Sequence, residues 1–430
     1  MKILFVLFFV TIYSITEAQT LLTIDDAIKI ALKNNYGILV YRNDAAISKT
    51  NNTLGNAGML PNVAVIGNGS YELNNVNQKL SGGTETNYPS LSTQYFSAGA
   101  ELTWTLFDGG KMFVTKNKLN EIEALGDIQF KDKVLQTQYD VIATYYDVVR
   151  QKQQLMSINE IIHYNTELVK ILQTSFNGGL LIKTTLLQAK IDLNVYTEDS
   201  IIQQFTIDAA KKDLNKLLSL NIDSFFEVSD TIPLNYSINK SELLQKLNSS
   251  NTNILSFQKQ IDIAKLILKE YNSLRYPLLN FKAGYYLSQT DNSAGSVLKN
   301  NTTGPMIGGS ISIPLYKSGN IQRQITTAKI DVESAQFNLE NIKLQVTTDL
   351  LNALAEFENQ QRLLIIEREN KELAKENLEI SLQRIRLGQT TSLEVHLAQE
   401  NYVQSCTRLI NFEYNLKIAE TKLKQLIAIL

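Results

Sequence analysis

The sequence predicts a mainly α-helical chain that also carries the strands of a membrane β-barrel, and three observations predict it. Two proline-free segments, 111–176 and 320–386, hold helical periodicity for far longer than a single-core domain uses. Four shorter segments alternate with period two and gather their apolar residues on one face. The same landmarks occur twice in the same order, so the unit is duplicated.

The chain has 430 residues, 44% of them hydrophobic, with 41 basic and 43 acidic side chains and a formal charge of −2. That balance leaves no electrostatic footprint for nucleic acid, so none is expected as a partner. Histidine occurs twice and cysteine once. Metal sites and nucleophilic triads draw on those two residue types, so the sequence predicts no enzyme and no cofactor.

At the amino terminus Lys2 precedes an apolar run, Ile3 to Ile12, and Thr16-Glu17-Ala18 leads to Gln19. A basic start, a short apolar core and a small-x-small end make residues 1–18 a secretory signal peptide. The run is shorter than the roughly 20 apolar residues of a spanning helix. No cysteine follows Ala18, so no lipid anchor is expected, and Cys406 has no intrachain partner for a disulfide. An exported chain of this kind is either soluble in the periplasm or an outer-membrane barrel.

The first repeat takes in 19–220 and the second 240–430, with 221–239 as an equatorial linker around Pro233. Met59-Leu60-Pro61-Asn62-Val63 corresponds to Arg275-Tyr276-Pro277-Leu278-Leu279, and Leu102 to Gly110 corresponds to Ile311 to Gly319. Phe176-Asn177-Gly178-Gly179 then corresponds to Ile385-Arg386-Leu387-Gly388, at the same distance from the second landmark in both halves. Helical spacing runs from Ile24 to Asn35, and a second helical run follows to about Ala57. Strands are expected at about 61–73, 95–107, 277–288 and 305–316, around polar loops at 74–93 and 289–303. Long helices follow at 111–176 and 320–386, about 100 Å each at the helical rise, and helices at 184–220 and 392–427 complete the halves.

One stripe runs down the second long helix through Ile321, Ile325, Ala328, Val332, Ala335, Leu339, Ile342, Val346, Leu350, Leu354 and Phe357. Its alternating steps of four and three form a coiled-coil seam, and an extra step of four unwinds the supercoil locally. An ordinary antiparallel coiled-coil rod would explain that stripe alone equally well.

In the strands, Leu102 and Trp104, Phe281 and Tyr285, and Ile311 and Ile313 fall on apolar faces and are the candidate lipid-facing residues. A soluble sandwich could alternate in the same way. Three features favour the barrel. Trp104 and several tyrosines lie on these strands, as interfacial girdles do. The segments match the roughly 9–11 residues of a tilted membrane strand. Four strands also cannot close on themselves, and open edges are forbidden in a bilayer core. Three protomers would supply twelve strands, so a homotrimer in outer-membrane lipid is expected. Asp108-Gly109-Gly110 and Ser318-Gly319-Asn320 supply the bend and the cap where a strand becomes a helix.

The junction, present as LTWTLFDGG and again as ISIPLYKSG, resembles the strand-to-helix signature of the TolC family of outer-membrane efflux proteins. The segments Asn177-Gly178-Gly179-Leu180 and Arg386-Leu387-Gly388 resemble that family's two helical-hairpin turns, and the likeness extends over essentially the whole mature chain. It implies a trimeric twelve-stranded barrel continuous with an α-helical periplasmic tunnel. It also implies a passive export duct of a tripartite efflux or type I secretion system, reaching from the outer membrane into the periplasm. The implied partners are a periplasmic adaptor and an inner-membrane transporter.

By the same resemblance Gly179, Leu180, Arg386, Leu387 and Gly388 would form the adaptor-docking tips. The family can close its tunnel with acidic rings and interhelical ion pairs. Here Glu394 matches the first acidic position, Leu397 stands at the second, and Thr185 and Thr390 stand where charged partners would sit. The resemblance therefore implies one acidic ring and leaves a salt-bridge lock of that form in doubt. A soluble periplasmic coiled-coil scaffold or adaptor with a small β-domain is the alternative reading. A secreted hydrolase using Glu394, His396, Glu400 or His163 is disfavoured, because His396 has no second histidine at ligand spacing.

Overall fold

The computed structural model describes residues 21–234 and 239–430, so the expected signal peptide and residues 235–238 of the linker lie outside it. The described elements are α1 (Ile24–Asn34), α2 (Tyr36–Asn51), β1 (Asn62–Lys79), β2 (Glu85–Asp108), α3 (Lys111–Asn177), α4 (Lys183–Leu218), α5 (Lys240–Ser250), α6 (Thr252–Ser273), β3 (Leu278–Asn292), β4 (Lys299–Ser312), α7 (Asn320–Arg386) and α8 (Ser392–Leu426). The chain divides into two compact units, and neither is a sequence half. One comprises Met1–Tyr41, Lys131–Thr252 and Leu344–Leu430; the other comprises Arg42–Phe130 and Asn253–Lys343.

The first unit is helical, and its described residues include two apolar clusters. One gathers Ala27 and Ala31 of α1, Val141, Tyr145 and Val149 of α3, Leu214 and Leu218 of α4, and Phe226, Val228 and Ile232 of the segment after α4. Thr23 caps α1 by accepting from the Asp26 N–H at 3.2 Å, and Asp25 and Asp26 sit in its first turn, where the helix dipole favours negative charge. Leu22 N–H donates to the Glu227 carbonyl at 2.8 Å beside a parallel bridge between Leu21 and Glu227. The buried Tyr145 hydroxyl fastens both segments to α3, donating to the Leu22 carbonyl at 2.8 Å and accepting from Ser229 N–H at 3.2 Å. The second core packs Ile161, Leu168 and Leu172 of α3 against Leu186 and Ala189 of α4, Leu378, Leu382 and Ile385 of α7, and Val395, Ala398, Tyr402 and Cys406 of α8.

The second unit is built on one antiparallel sheet of order β1-β2-β3-β4. Here α6 is tied to the first part of α3 by charge: Glu270 accepts from Thr115 Oγ1 at 2.6 Å and Lys118 Nζ at 2.7 Å, and Lys259 pairs with Glu121 at 2.7 Å.

Two expectations need correction. The segments expected as polar loops are largely strand, since β1 runs to Lys79, β2 starts at Glu85, β3 runs to Asn292 and β4 starts at Lys299. Ladder hydrogen bonds join backbones whatever the side chains, so pairing outruns the stretch where an apolar face betrays it. At the other end β4 stops at Ser312 rather than 316. Pro314 has no N–H for a ladder, and Ile313 therefore lies beyond the strand as an exposed residue instead of on its apolar face. On α7, every residue from Ile321 to Phe357 in the predicted stripe is buried or half-buried.

Candidate functional site

The sheet has two chemically distinct faces, and the register fixes them. Val65 pairs with Ala100, Val63 with Leu102, Leu102 with Ala283, Trp104 with Phe281, Ala100 with Tyr285, and Ala283 with Ile307. Cross-strand partners share a face, so Leu102, Trp104, Phe281, Tyr285 and Ile311 stand on one apolar face; of the six candidates only Ile313 is missing. Val65, Ile307 and Ile311 on that face are exposed. Trp104 Nε1 donates to the Met59 carbonyl at 2.9 Å, which satisfies its one polar atom.

The opposite face is mostly small and polar, with Ser97, Gly99, Thr103, Gly284, Ser288, Gly308 and Ser310 among its residues, although Ile66 and Met306 also stand on it. Glu101 lies there directly across from Gly284. Its carboxylate accepts from Tyr286 Oη at 2.7 Å and from Lys282 Nζ at 3.3 Å. Among the described residues β1 pairs only with β2 and β4 only with β3, so both outer edges of the sheet are free there.

The strand-to-helix junctions use the glycines as their positions demand. Gly109 has φ 73° and its missing side chain admits the Ser273 carbonyl, which a Cβ would meet at 2.4 Å. Asp108 then caps α3 by accepting from Met112 N–H at 3.0 Å.

In the helical unit the turns after α3 and α7 share one geometry. Leu180 N–H donates to the Ser175 carbonyl at 2.9 Å and Gly179 N–H to Phe176 at 3.0 Å; Gln389 N–H donates to Arg384 at 2.9 Å and Gly388 N–H to Ile385 at 3.1 Å. Each is a Schellman cap with a left-handed glycine, φ 74° at Gly179 and 69° at Gly388. Leu180 is 84% exposed and Leu387 70% exposed, so both turns present an apolar knob to solvent. Arg386 reaches toward Glu167 at 3.9 Å, whose carboxylate is held below its usual range chiefly by the Lys170 hydrogen bond.

Glu394 has more company than the sequence suggested. Arg384 Nη1 donates to it at 2.8 Å, Arg384 Nη2 donates to the Gln389 carbonyl at 3.1 Å, and the Thr390 hydroxyl donates to the other carboxylate oxygen. Its backbone N–H meanwhile donates to Thr391 Oγ1, the cap of α8, at 3.3 Å. Glu394 and Thr390 thus come together, while Thr185 lines a separate groove of about 290 Å³ with Leu168, Gln188, Asp192 and His396. Arg384 was not singled out from the sequence; it lies ten residues before Glu394, and only the turn between them makes the pair. His396 sits between Asp192 and Glu400, 3.5 Å from each, and among the described residues no cluster of three metal-ligating side chains is found.

A second feature missed in the sequence runs along α7. Ile330, Phe337, Leu344 and Leu351 recur every seven residues, as do Ile366, Leu373, Ile380 and Leu387, and all eight are exposed. Ile366, Ile380 and Leu387 lie two positions beyond the buried Leu364, Leu378 and Ile385, about 200° round the helix. The eight form two runs of seven-residue spacing, offset from each other by one residue, that the other described residues leave uncovered.

Residues 243–428 match the family model described as Outer membrane efflux protein. The outer membrane efflux protein BepC of Brucella suis biovar 1 is 22% identical over 400 residues, covering 92% of this chain and 83% of that protein. Among solved structures, the outer membrane protein VceC of Vibrio cholerae superposes with a TM-score of 0.77 at 15% identity, covering 94% of this chain and 96% of that one. The CmeC outer membrane channel of Campylobacter jejuni gives 0.79 at 16% identity, covering 94% and 85%. The open state of the MtrE outer membrane channel of Neisseria gonorrhoeae gives 0.73 at 15%, covering 94% and 88%.

Proposed function

We propose that this chain, a TolC-like outer membrane efflux protein by its family match, its near-full-length relative and its fold, is one protomer of a trimeric export duct. It resides in the outer membrane and extends into the periplasm. Three four-stranded sheets joined edge to edge make a twelve-stranded barrel with the apolar face toward lipid and the Glu101 face toward the lumen. The helices extend that conduit inward, and energy comes from an inner-membrane transporter coupled through a periplasmic adaptor.

The observation that carries this reading is the sheet itself. It presents an apolar face with exposed Val65, Tyr285, Ile307 and Ile311, and among the described residues the edges of β1 and β4 are unpaired. In a bilayer an open edge strands every outward-facing N–H and C=O, so such a sheet must be closed by further copies. The α7 seam supplies a second surface for the same neighbours. A soluble scaffold would leave both surfaces in water.

The two Schellman turns, with Gly179, Leu180, Arg386, Leu387 and Gly388, are proposed as the adaptor-docking tips, because they combine a rigid backbone with exposed leucines. Glu394 and Thr390 are proposed at the gate with their carboxylate already matched by Arg384, which weakens the case for a bare acidic ring. Thr185 then acts only by lining the α4–α8 groove. The deciding experiment is conductance of purified protein in planar bilayers. A duct gives discrete, long-lived pores from folded protein; folded protein that gives none contradicts the proposal.

A further inference from the structure

On the proposed reading that the polar face of the sheet lines a lumen, we infer that Lys282 and Tyr286 set the ion selectivity of the barrel by neutralising and pinning the Glu101 carboxylate. Glu101 and Lys282 are oppositely charged neighbours on that face. The remaining charge between Asn62 and Thr105 on the same side of β1 and β2 is Glu72, at the level of Thr93, eight residues from Glu101 along β2. Three bare carboxylates at one level of a pore would draw cations and repel anions. In this structure the Glu101 carboxylate is not bare: it has an ammonium at 3.3 Å and a phenol donor at 2.7 Å.

The placement of Tyr286 is built in by two glycines. A Cβ on Gly99 would stand 2.6 Å from Tyr286 Cδ1, and one on Gly284 would stand 2.7 Å from Tyr286 Cε2. The ring therefore lies across both glycines against the sheet, with its hydroxyl on Glu101, instead of projecting away from it. The Glu101 side chain is only 18% exposed, and that of its lysine 51%. Tyr286 is a positioning residue, and Lys282 is the specificity-determining one. Together they leave the wall without net fixed charge at this level, so anionic and cationic solutes meet the same barrier there.

Reversal potentials across a potassium chloride gradient test this in the intact protein. Lys282→Gln exposes three carboxylates and raises the K⁺ to Cl⁻ permeability ratio by about threefold over wild type, as expected for fixed charges within roughly a Debye length of the permeating ion. Glu101→Gln moves the ratio the other way, and the double variant returns to the wild-type value. Tyr286→Phe keeps the ring but frees the carboxylate, giving a smaller shift in the direction of Lys282→Gln. A purely structural role for these residues would alter pore yield and leave the ratio unmoved. Pores of Lys282→Gln or Glu101→Gln with wild-type reversal potentials would overturn the inference while leaving the duct intact. Wild-type protein without pores would take down the duct proposal and this inference with it.

Discussion

Replacing Ile366, Leu373 and Ile380 together by glutamine isolates the outward seam of α7 from the fold of the protomer. The three side chains are 56%, 57% and 46% exposed, so about half of each is already buried within the chain. Fully burying an isoleucine or leucine contributes about 1.5–3 kcal/mol, which leaves about 1 kcal/mol per position for a neighbouring copy to collect. With three positions and three equivalent interfaces the trimer loses about 9 kcal/mol, a drop of about a millionfold in its association constant. Glutamine is a good helix former, so α7 itself is not penalised. Native mass spectrometry in detergent across a concentration series reads the effect directly. The triple variant should appear as a folded monomer at concentrations where wild type is trimeric. A variant that stays trimeric at every concentration tested would refute the assignment of this seam to an interface.

Three further outcomes follow from single positions in the helical unit. Tyr145→Phe leaves the Leu22 carbonyl and Ser229 N–H without the hydroxyl that joins them; it should cost about 1–3 kcal/mol in denaturant unfolding, and a change below 0.5 kcal/mol would show that the staple is dispensable. Ala428 ends α8 with φ 56° in the same cap geometry as the two glycine turns, its successor Ile429 donating to Lys424 at 3.0 Å; Ala428→Gly should therefore stabilise by about 1 kcal/mol, visible as a raised melting temperature. Burial pushes the Glu413 carboxyl above its usual range against the pull of Arg368 and Lys371. The native state then holds that proton to higher pH than the unfolded chain, so stability falls as pH rises through the window between the two values. Glu413→Gln should raise the melting temperature at pH 7.5 and change it little below about pH 4, where both states are protonated; an equal gain at both pH values would exclude the ionisation as its cause.

What could be read in the sequence was whatever repeats. The long helices declare themselves through unbroken apolar spacing without proline, and the strand faces through alternation, so Leu102, Trp104, Phe281, Tyr285 and Ile311 could be grouped before any register was known. The polar continuations of the strands could not, because Asn74 to Lys79 and Gln289 to Asn292 offer no apolar face to mark them. Contacts made by a turn or across strands were equally invisible. Arg384 meets Glu394 only because the Gly388 turn folds α8 back, and Tyr286 meets Glu101 only because the register sets Gly99 and Gly284 beneath its ring. The seven-residue recurrence on α7 was present in the sequence, but the inward stripe beside it satisfied the same periodicity and hid it.

The joining of β1 of one copy to β4 of the next can be tested by cysteine crosslinking, since the single native cysteine, Cys406, is buried. Val65→Cys would be combined in turn with Thr303→Cys, Ile307→Cys and Ile311→Cys, all on the apolar face, and oxidised in the membrane. Closure by three chains predicts that one of these registers yields covalent dimers and trimers and nothing larger. Monomers in every register, or ladders extending past the trimer, would contradict it.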